Sequence, residues 1–258
     1  MKSKQKYFYI LMMFSLVVGM IGMKSAKPVR AANPIRISQV YGGGGNDSAP
    51  FTHDFIEIFN SGSSLVSLAG MSIQYASATG DGNFGSMQGE ISELPAVDLG
   101  AGQYYLIQGG RGNNGSTALP TPDLIDDTPI AMGATYGKVA LVNSQASLGC
   151  NGGSTRCTPE QMALIVDLVG YGTTSFYEGL GTAPAPSNTT AIIRKAGGCL
   201  DTDDNAADFE ALAPSPRNTA SPTHVCTPAT FPERFIISEY LEGSSNNKAI
   251  ELYNGTGV

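Results

Sequence analysis

The chain has 258 residues, of which 32 are Gly and 15 are Pro, while charged residues make up only 14% and Trp is absent. Average soluble domains hold about 12% Gly plus Pro and about 25% charged residues, so this sequence is rich in turns and sparing with surface charge. A hydrophobic share of 41% excludes wholesale disorder, and the turn excess favours short strands over a helical bundle. Charge is unevenly placed. Lys2, Lys4, Lys6, Lys24, Lys27 and Arg30 all fall within residues 1–31, where no Asp or Glu occurs. The remaining residues carry 9 basic against 22 acidic side chains, a net charge near −13. That balance disfavours direct nucleic-acid binding, because such affinity comes from Lys and Arg releasing counterions.

At the N-terminus, three lysines precede the apolar run Tyr7–Met23, 17 residues long. Val29 and Ala31 place small residues at the −3 and −1 positions of a cleavage site. Residues 1–31 therefore read as a signal peptide, with Ala32 as the first mature residue. The run sits at the lower limit for a bilayer span, and no later segment is apolar enough to span. The expectation is a secreted, extracellular chain with no stable membrane span after cleavage. In that oxidising setting Cys150, Cys157, Cys199 and Cys226 read as two disulfides. Three connectivities are open. One of them joins Cys150–Cys157 around a short loop and uses Cys199–Cys226 to pin the end of the domain. A zinc site is disfavoured, since the spacings are not Cys-x-x-Cys and both histidines are isolated.

Strand-like runs follow in order: Ile35–Tyr41, Asp54–Asn60, Leu65–Leu68, Met71–Ala76, Tyr104–Gln108, Lys138–Asn143, Leu164–Val169 and Ala191–Arg194. Most alternate or are rich in β-branched residues, as half-buried strands should be. Asp47–His53 and Asp208–Leu212 each read as a helical turn. Between the strands, Gly42–Gly45 and Gly109–Gly112 lack the Gly-Lys-Ser/Thr of a phosphate-binding loop and any βαβ setting; they read as flexible connections. Short strands with regular turn punctuation predict a two-sheet sandwich.

An internal repeat organises the rest. Ile37-Ser38-Gln39-Val40, a Gly/Asn loop and Ile56-Glu57-Ile58-Phe59-Asn60 return as Ile237-Ser238-Glu239-Tyr240, a loop, and Ile250-Glu251-Leu252-Tyr253-Asn254. The second copy starts near Arg234, after the Pro/Thr/Ser-rich stretch Pro214–Pro232. Two strands cannot bury a core, so the expectation is that the second copy is incomplete at Val258 and that downstream domains of the same polypeptide follow.

These residues resemble the first hairpin of bacterial lamin-tail domains. So do Val166–Gly172, Glu178-Gly179, Ala183–Lys195 and Gly197–Asn218. The resemblance implies an all-β, immunoglobulin-like β-sandwich over residues 33–222, a linker at 223–233, and the first hairpin of a second, truncated copy at 234–258. It also implies a secreted protein of a kind often found ahead of endonuclease/exonuclease/phosphatase-type catalytic domains. No catalytic domain of that type is recognisable in this sequence.

Candidate chemistry is sparse. Asp201, Asp203 and Asn205 put oxygen side chains at alternating positions of a turn, and Asp208 adds a fourth, the kind of set that Ca²⁺ takes. The competing reading has Asp204 or Asn205 capping a helix start. No cofactor is required, and Ca²⁺ is the only one suggested. His53 and His224 have no nucleophile with them, and no Gly-x-Ser-x-Gly occurs. Glu57 and Glu251, at equivalent places in the two copies, read as hydrogen-bonding or ion-pairing groups at a strand edge. Arg111, Tyr75 and Tyr171 are the candidate ligand contacts, near loops Gly42–Asn46, Asp81–Met87 and Gly109–Gly115. Asn46, Asn114, Asn188 and Asn254 each begin an Asn-x-Ser/Thr match, which so Asn- and Ser-rich a chain produces easily. The functional expectation is a non-catalytic secreted module that binds or positions an unidentified extracellular ligand. Two alternatives are the front end of a secreted metal-dependent nuclease or phosphoesterase, and a structural cell-surface or adhesion repeat.

Overall fold

The computed structural model describes residues 34–226, 236–242 and 248–253. The signal-peptide reading of residues 1–31 falls outside them. The main sheet has six strands in the order β12-β11-β1-β2-β7-β8: Phe209–Leu212, Ala191–Arg194, Ile35–Tyr41, His53–Asn60, Tyr104–Arg111 and Leu124–Ile125. All neighbours are antiparallel except β7 and β8, which run parallel. The second sheet is fully antiparallel, β10-β9-β4-β5: Ile165–Tyr171, Gly137–Val142, Ser72–Ala76 and Ile91–Glu93. A two-stranded ribbon pairs β3, Val66–Ser67, with β6, Asp98–Leu99. Helix α1 covers Pro159–Leu164 and α2 covers Asn205–Asp208.

Alternation decides which side chains meet between the sheets. Ile37, Ile56, Ile58 and Ile107 of the large sheet join Ile73, Val139, Leu141 and Val169 of the small one in a single core. The strands were expected to be half-buried, but the outer faces are covered too. On the small sheet, Ala140, Val142 and Leu168 pack under Phe84, Leu148 and Cys150. On the large sheet, Tyr41, Phe55 and Leu106 pack with Leu119. Long loops thus bury β4 and β9 on both faces.

A residue inserted into β1 shapes the hairpin. The β1–β2 register shifts between Ile37 and Gln39, making Ser38 the extra residue. Strands β13, Ile236–Glu242, and β14, Lys248–Tyr253, pair antiparallel with a shift between Ile237 and Glu239. The irregularity recurs at the same place in the repeat.

The Pro/Thr/Ser-rich stretch is fastened down from Ser215 as far as residue 226, which takes in the first residues of the expected linker at 223–233. Ser215 exchanges hydrogen bonds with the Gln39 side chain, Arg217 pairs with Glu57, and Thr219 bonds Asp123. His224 N–H donates to Gly102 O, and Cys226 is bonded to Cys199. Apart from the disulfide, these fastenings supply partners for backbone N–H groups of Ser215, Arg217, Thr219 and His224 that a free linker would leave to water. The Asp208–Leu212 helical turn is also displaced: the helix precedes it, and Phe209–Leu212 instead pairs as β12 with β11. Asp47–His53 forms no helix, its C-terminal end being taken into β2.

Candidate functional site

The Gly-rich loops are tight crossings rather than flexible connections. A Cβ on Gly44 would lie 1.9 Å from the carbonyl carbon of His53, and one on Gly112 would lie 2.5 Å from the Gly45 carbonyl oxygen. Only glycine lets these backbones approach so closely. Asp54 is buried beside them, accepting from Gly44 N at 2.8 Å and Met132 N at 2.9 Å. Burial pushes its pKa up to about 7, although the two amides favour the charged form.

This packing brings three separate loops into one open cleft of about 400 Å³, lined by Asn46, Asp47, Asn113, Asn114 and Asn188 with Gly45 and Gly112. The amides bind one another. Asn46 Nδ2 donates to Asn188 Oδ1, Asn188 Nδ2 to the Asp47 carbonyl, and Asn114 Nδ2 to Asp47 Oδ1 at 2.8 Å. Asn114 N donates to Gly45 O, and Tyr41 Oη donates to Asn188 O at 2.6 Å. Among the described hydrogen bonds, this leaves Asn46 Oδ1, Asn114 Oδ1, Asp47 Oδ2 and the Asn113 amide for a ligand. Three of the four Asn-x-Ser/Thr matches are therefore neighbours in space. Asn254 lies outside the described residues.

Of the three candidate ligand contacts, Arg111 is exposed, beside His53 in the β2–β7 register and next in the chain to Gly112. Burial and the Arg111 charge lower the His53 pKa. The two tyrosines are corrected to core residues. Tyr75 is 8% exposed and Tyr171 is 0% exposed. Tyr75 Oη accepts from Gly133 N and Tyr171 Oη donates to Gly133 O. Both point inward because they occupy inward positions of β4 and β10. Loops Gly42–Asn46 and Gly109–Gly115 meet in the cleft, whereas Asp81–Met87 packs on the Cys150 loop through Phe84 N and Cys150 O.

The four candidate Ca²⁺ ligands are not gathered about one point. Asn205 is buried; its Oδ1 accepts from Gly170 N and Glu178 N, and its Nδ2 donates to Leu168 O. Asp208 accepts from Thr202 N and Oγ1 and faces Arg194. Asp201 pairs with Arg194 and Arg36, and Asp203 is exposed. Asp204 caps α2 by accepting from Ala206 N, which is the capping alternative.

The real centre of that region is Arg194, 0% exposed. Its Nη2 reaches both oxygens of Asp167 at 2.8 and 2.9 Å, its Nε donates to Ile37 O, and its guanidinium lies 4.4 Å from the Phe209 ring. Asp167 Oδ2 also accepts from Ile37 N, at the β1 irregularity. Carboxylate oxygens of Asp167, Glu178 and Asp201 approach within 4.8 Å, gathered around this cation. Burial, and next Asp167, pushes the Glu178 carboxyl up to about 9. Arg194 joins β11 to β10 and thereby closes one side of the sandwich.

Glu57 lies in a central strand instead of at an edge. Its carboxylate is 0% exposed and accepts from Ser38 Oγ, Arg217 N and the Arg217 guanidinium, which also lies 3.7 Å from the Tyr104 ring. Disulfides join Cys150 to Cys157 and Cys199 to Cys226. No helix among the described residues is long and apolar enough to cross a membrane.

The sequence model of the family described as Lamin Tail Domain matches residues 28–172, more than half of the chain. The chain belongs to the lamin tail domain family. The all-β, two-sheet architecture described above is the immunoglobulin-like sandwich of that family. The lamin tail match ends beyond β10, yet the large sheet is completed by β11, which pairs onto β1, and β12, which pairs onto β11. Among solved structures, a DUF4876 family protein from Bacteroides thetaiotaomicron VPI-5482 is similar, with 13% identity over 75% of each chain and a TM-score of 0.45. No curated protein matches the chain.

Proposed function

We propose that this lamin tail sandwich is a secreted, non-catalytic binding module that takes a neutral, polyhydroxylated ligand, a segment of glycan, in the amide-lined cleft. The observation that carries this reading is the convergence of Asn46, Asp47, Asn114 and Asn188 from three loops into one hydrogen-bonded set. Amides offer donors and acceptors together, which suits hydroxyl groups that both give and accept. Loops on a rigid sandwich are where such modules carry recognition, and the cleft volume falls in the usual range for small-ligand sites. The acidic balance of the chain beyond residue 31 supports a neutral ligand over a polyanion. The two disulfides support an extracellular location. In a larger extracellular protein, the module would position the other domains on such a surface.

The test is a glycan array followed by titration calorimetry on the best neutral oligosaccharide. Asn114→Ala with Asn46→Ala should weaken binding by about tenfold or more, since the ligand hydroxyls would lose two amide partners at about 1 kcal/mol each. No array signal, or binding unchanged by both substitutions, would overturn the reading.

A further inference from the structure

The two sides of the sandwich are finished differently. On one side Arg194 and Asp167 tie β11 to β10, and α2 and its loop lie against them. On the other, the last strands of both sheets are β8 and β5, and a groove of about 410 Å³ opens between them. Its lining is Ile91 and Glu93 from β5, Leu124 and Ile125 from β8, and Asp126, Asp127 and Thr128 from the turn that follows. It shares no lining residue with the amide cleft.

Backbone groups are available on both borders. Tyr75 N donates to Glu90 O and Leu94 N donates to Met71 O, so even-numbered residues of β5 face β4. By the alternation of an antiparallel ladder, Ile91 and Glu93 turn their N–H and C=O groups outward. On β8, Asp123 N donates to Leu106 O, which leaves the next residue, Leu124, directed away from β7. Ile125 is 62% exposed, a large apolar side chain on an open edge. The charge around it has one sign: Glu93, Asp126 and Asp127 take part in none of the ion pairs between described residues, all of which use Arg36, Arg194 or Arg217.

We infer that this groove is a docking site for an extended, basic peptide segment of a partner protein, added as a strand along β5 or β8 with apolar residues on Ile91 and Ile125 and cationic ones facing Glu93, Asp126 and Asp127. Strand addition takes its affinity from main-chain hydrogen bonds and its choice of partner from alternating side chains. The acidic rim selects the sign of charge and speeds encounter. Short, charged edges are also how proteins prevent unwanted pairing, and the experiment separates the two roles.

A fluorescein-labelled hexapeptide, Lys-Thr-Val-Thr-Lys-Thr, which places valine and lysine two apart on one face of a strand, is titrated into the full chain and followed by polarisation. Saturable binding is expected, with loss of about tenfold for Glu93→Gln/Asp126→Asn/Asp127→Asn and weakening as salt is raised. Ile125→Ser, at an exposed site that leaves folding intact, should also weaken it. A peptide of equal charge with proline in place of each threonine lacks half of the backbone N–H groups and should bind more weakly. Absence of binding would identify a guarded edge and overturn the proposal. Equal binding of the proline peptide, or indifference to neutralising the three carboxylates, would overturn it as well.

Discussion

Arg217→Ala would leave Glu57 as a buried carboxylate without its cation. In the native fold the Arg217 guanidinium reaches Glu57 at 2.7 and 3.2 Å, and Glu57 is wholly buried. Removing one partner of a buried pair typically costs about 3–5 kcal/mol. Here Ser38 Oγ and Arg217 N still donate to the carboxylate, so about 3 kcal/mol at neutral pH is the expected loss, part of it from the stacking on Tyr104. The pH dependence identifies the cause. Burial already raises the Glu57 pKa above its ordinary 4.5, and Arg217 is the main opposing influence. A raised folded pKa gives stability that is present below the unfolded value and lost as pH rises through the folded one. Without Arg217 that folded value climbs further. The variant should therefore approach the wild type in stability near pH 4 and fall behind it as pH increases. Urea unfolding at several pH values measures this. The double variant Glu57→Gln/Arg217→Ala should recover at least about 1 kcal/mol relative to the sum of the single losses. An equal deficit at pH 4 and pH 8 would refute the buried-charge argument.

Asp54 gives a second pH window: with its pKa raised from 3.8 to about 7, the wild type should lose up to about 4 kcal/mol of stability between those values. Asp54→Asn should flatten that slope in a denaturation series, at a lower plateau because the amide nitrogen then faces a backbone N–H. Cys226→Ser opens a loop with a sequence separation of 27 and should cost about 3.5 kcal/mol by the chain-entropy relation, read as a lower urea midpoint. Gly44→Ala forces a methyl group into the His53 backbone and should destabilise by about 1–3 kcal/mol, with thermal melting as the readout. Millimolar Ca²⁺ should leave the melting temperature unchanged, because Asn205 and Asp208 spend their oxygens on the fold; an upward shift would show that a native-state site exists.

The strongly patterned elements were legible in the sequence. Ile35–Tyr41 and Ala191–Arg194 coincide with β1 and β11, and the long central strands differ only at their ends. Strands β5, β6 and β8 escaped because two or three residues cannot express a period, and their position comes from tertiary pairing. Helix α1 was announced by Thr158-Pro159-Glu160-Gln161, whose capping box is formed, but it is too short for an apolar stripe. Tyr75 and Tyr171 illustrate how alternation outweighs composition: an aromatic at an inward strand position belongs to the core, whatever its hydroxyl could offer a ligand. Charges inside apolar runs were the other available signal. Asp167 in LIVDLV and Arg194 in AIIR each announce a buried charge that needs a partner, although their mutual pairing required the fold. Two loops of the amide cleft, Gly42–Asn46 and Gly109–Gly115, were legible as candidate contacts, but the amide set was not, since Asn46, Asn114 and Asn188 are brought together only by the fold.

Coverage of the outer faces limits where this sandwich can meet a partner. Long loops bury the small sheet under Phe84 and Leu148, and the stretch from Ser215 to Cys226 lies against β1, β2 and β7. A flat sheet face, the commonest contact surface of an open sandwich, is therefore largely spent on the chain's own segments. One lateral side is likewise spent, on Arg194 and its carboxylates. Among the described residues, the loop cleft at the end of β1 and the groove between β5 and β8 stay open, one amide-rich with a single carboxylate, Asp47, the other acidic with an apolar floor. Their chemistries do not overlap, so a single ligand would not be expected to use both. The two binding tests are accordingly independent: a glycan that competes with the basic peptide would contradict this division of the surface.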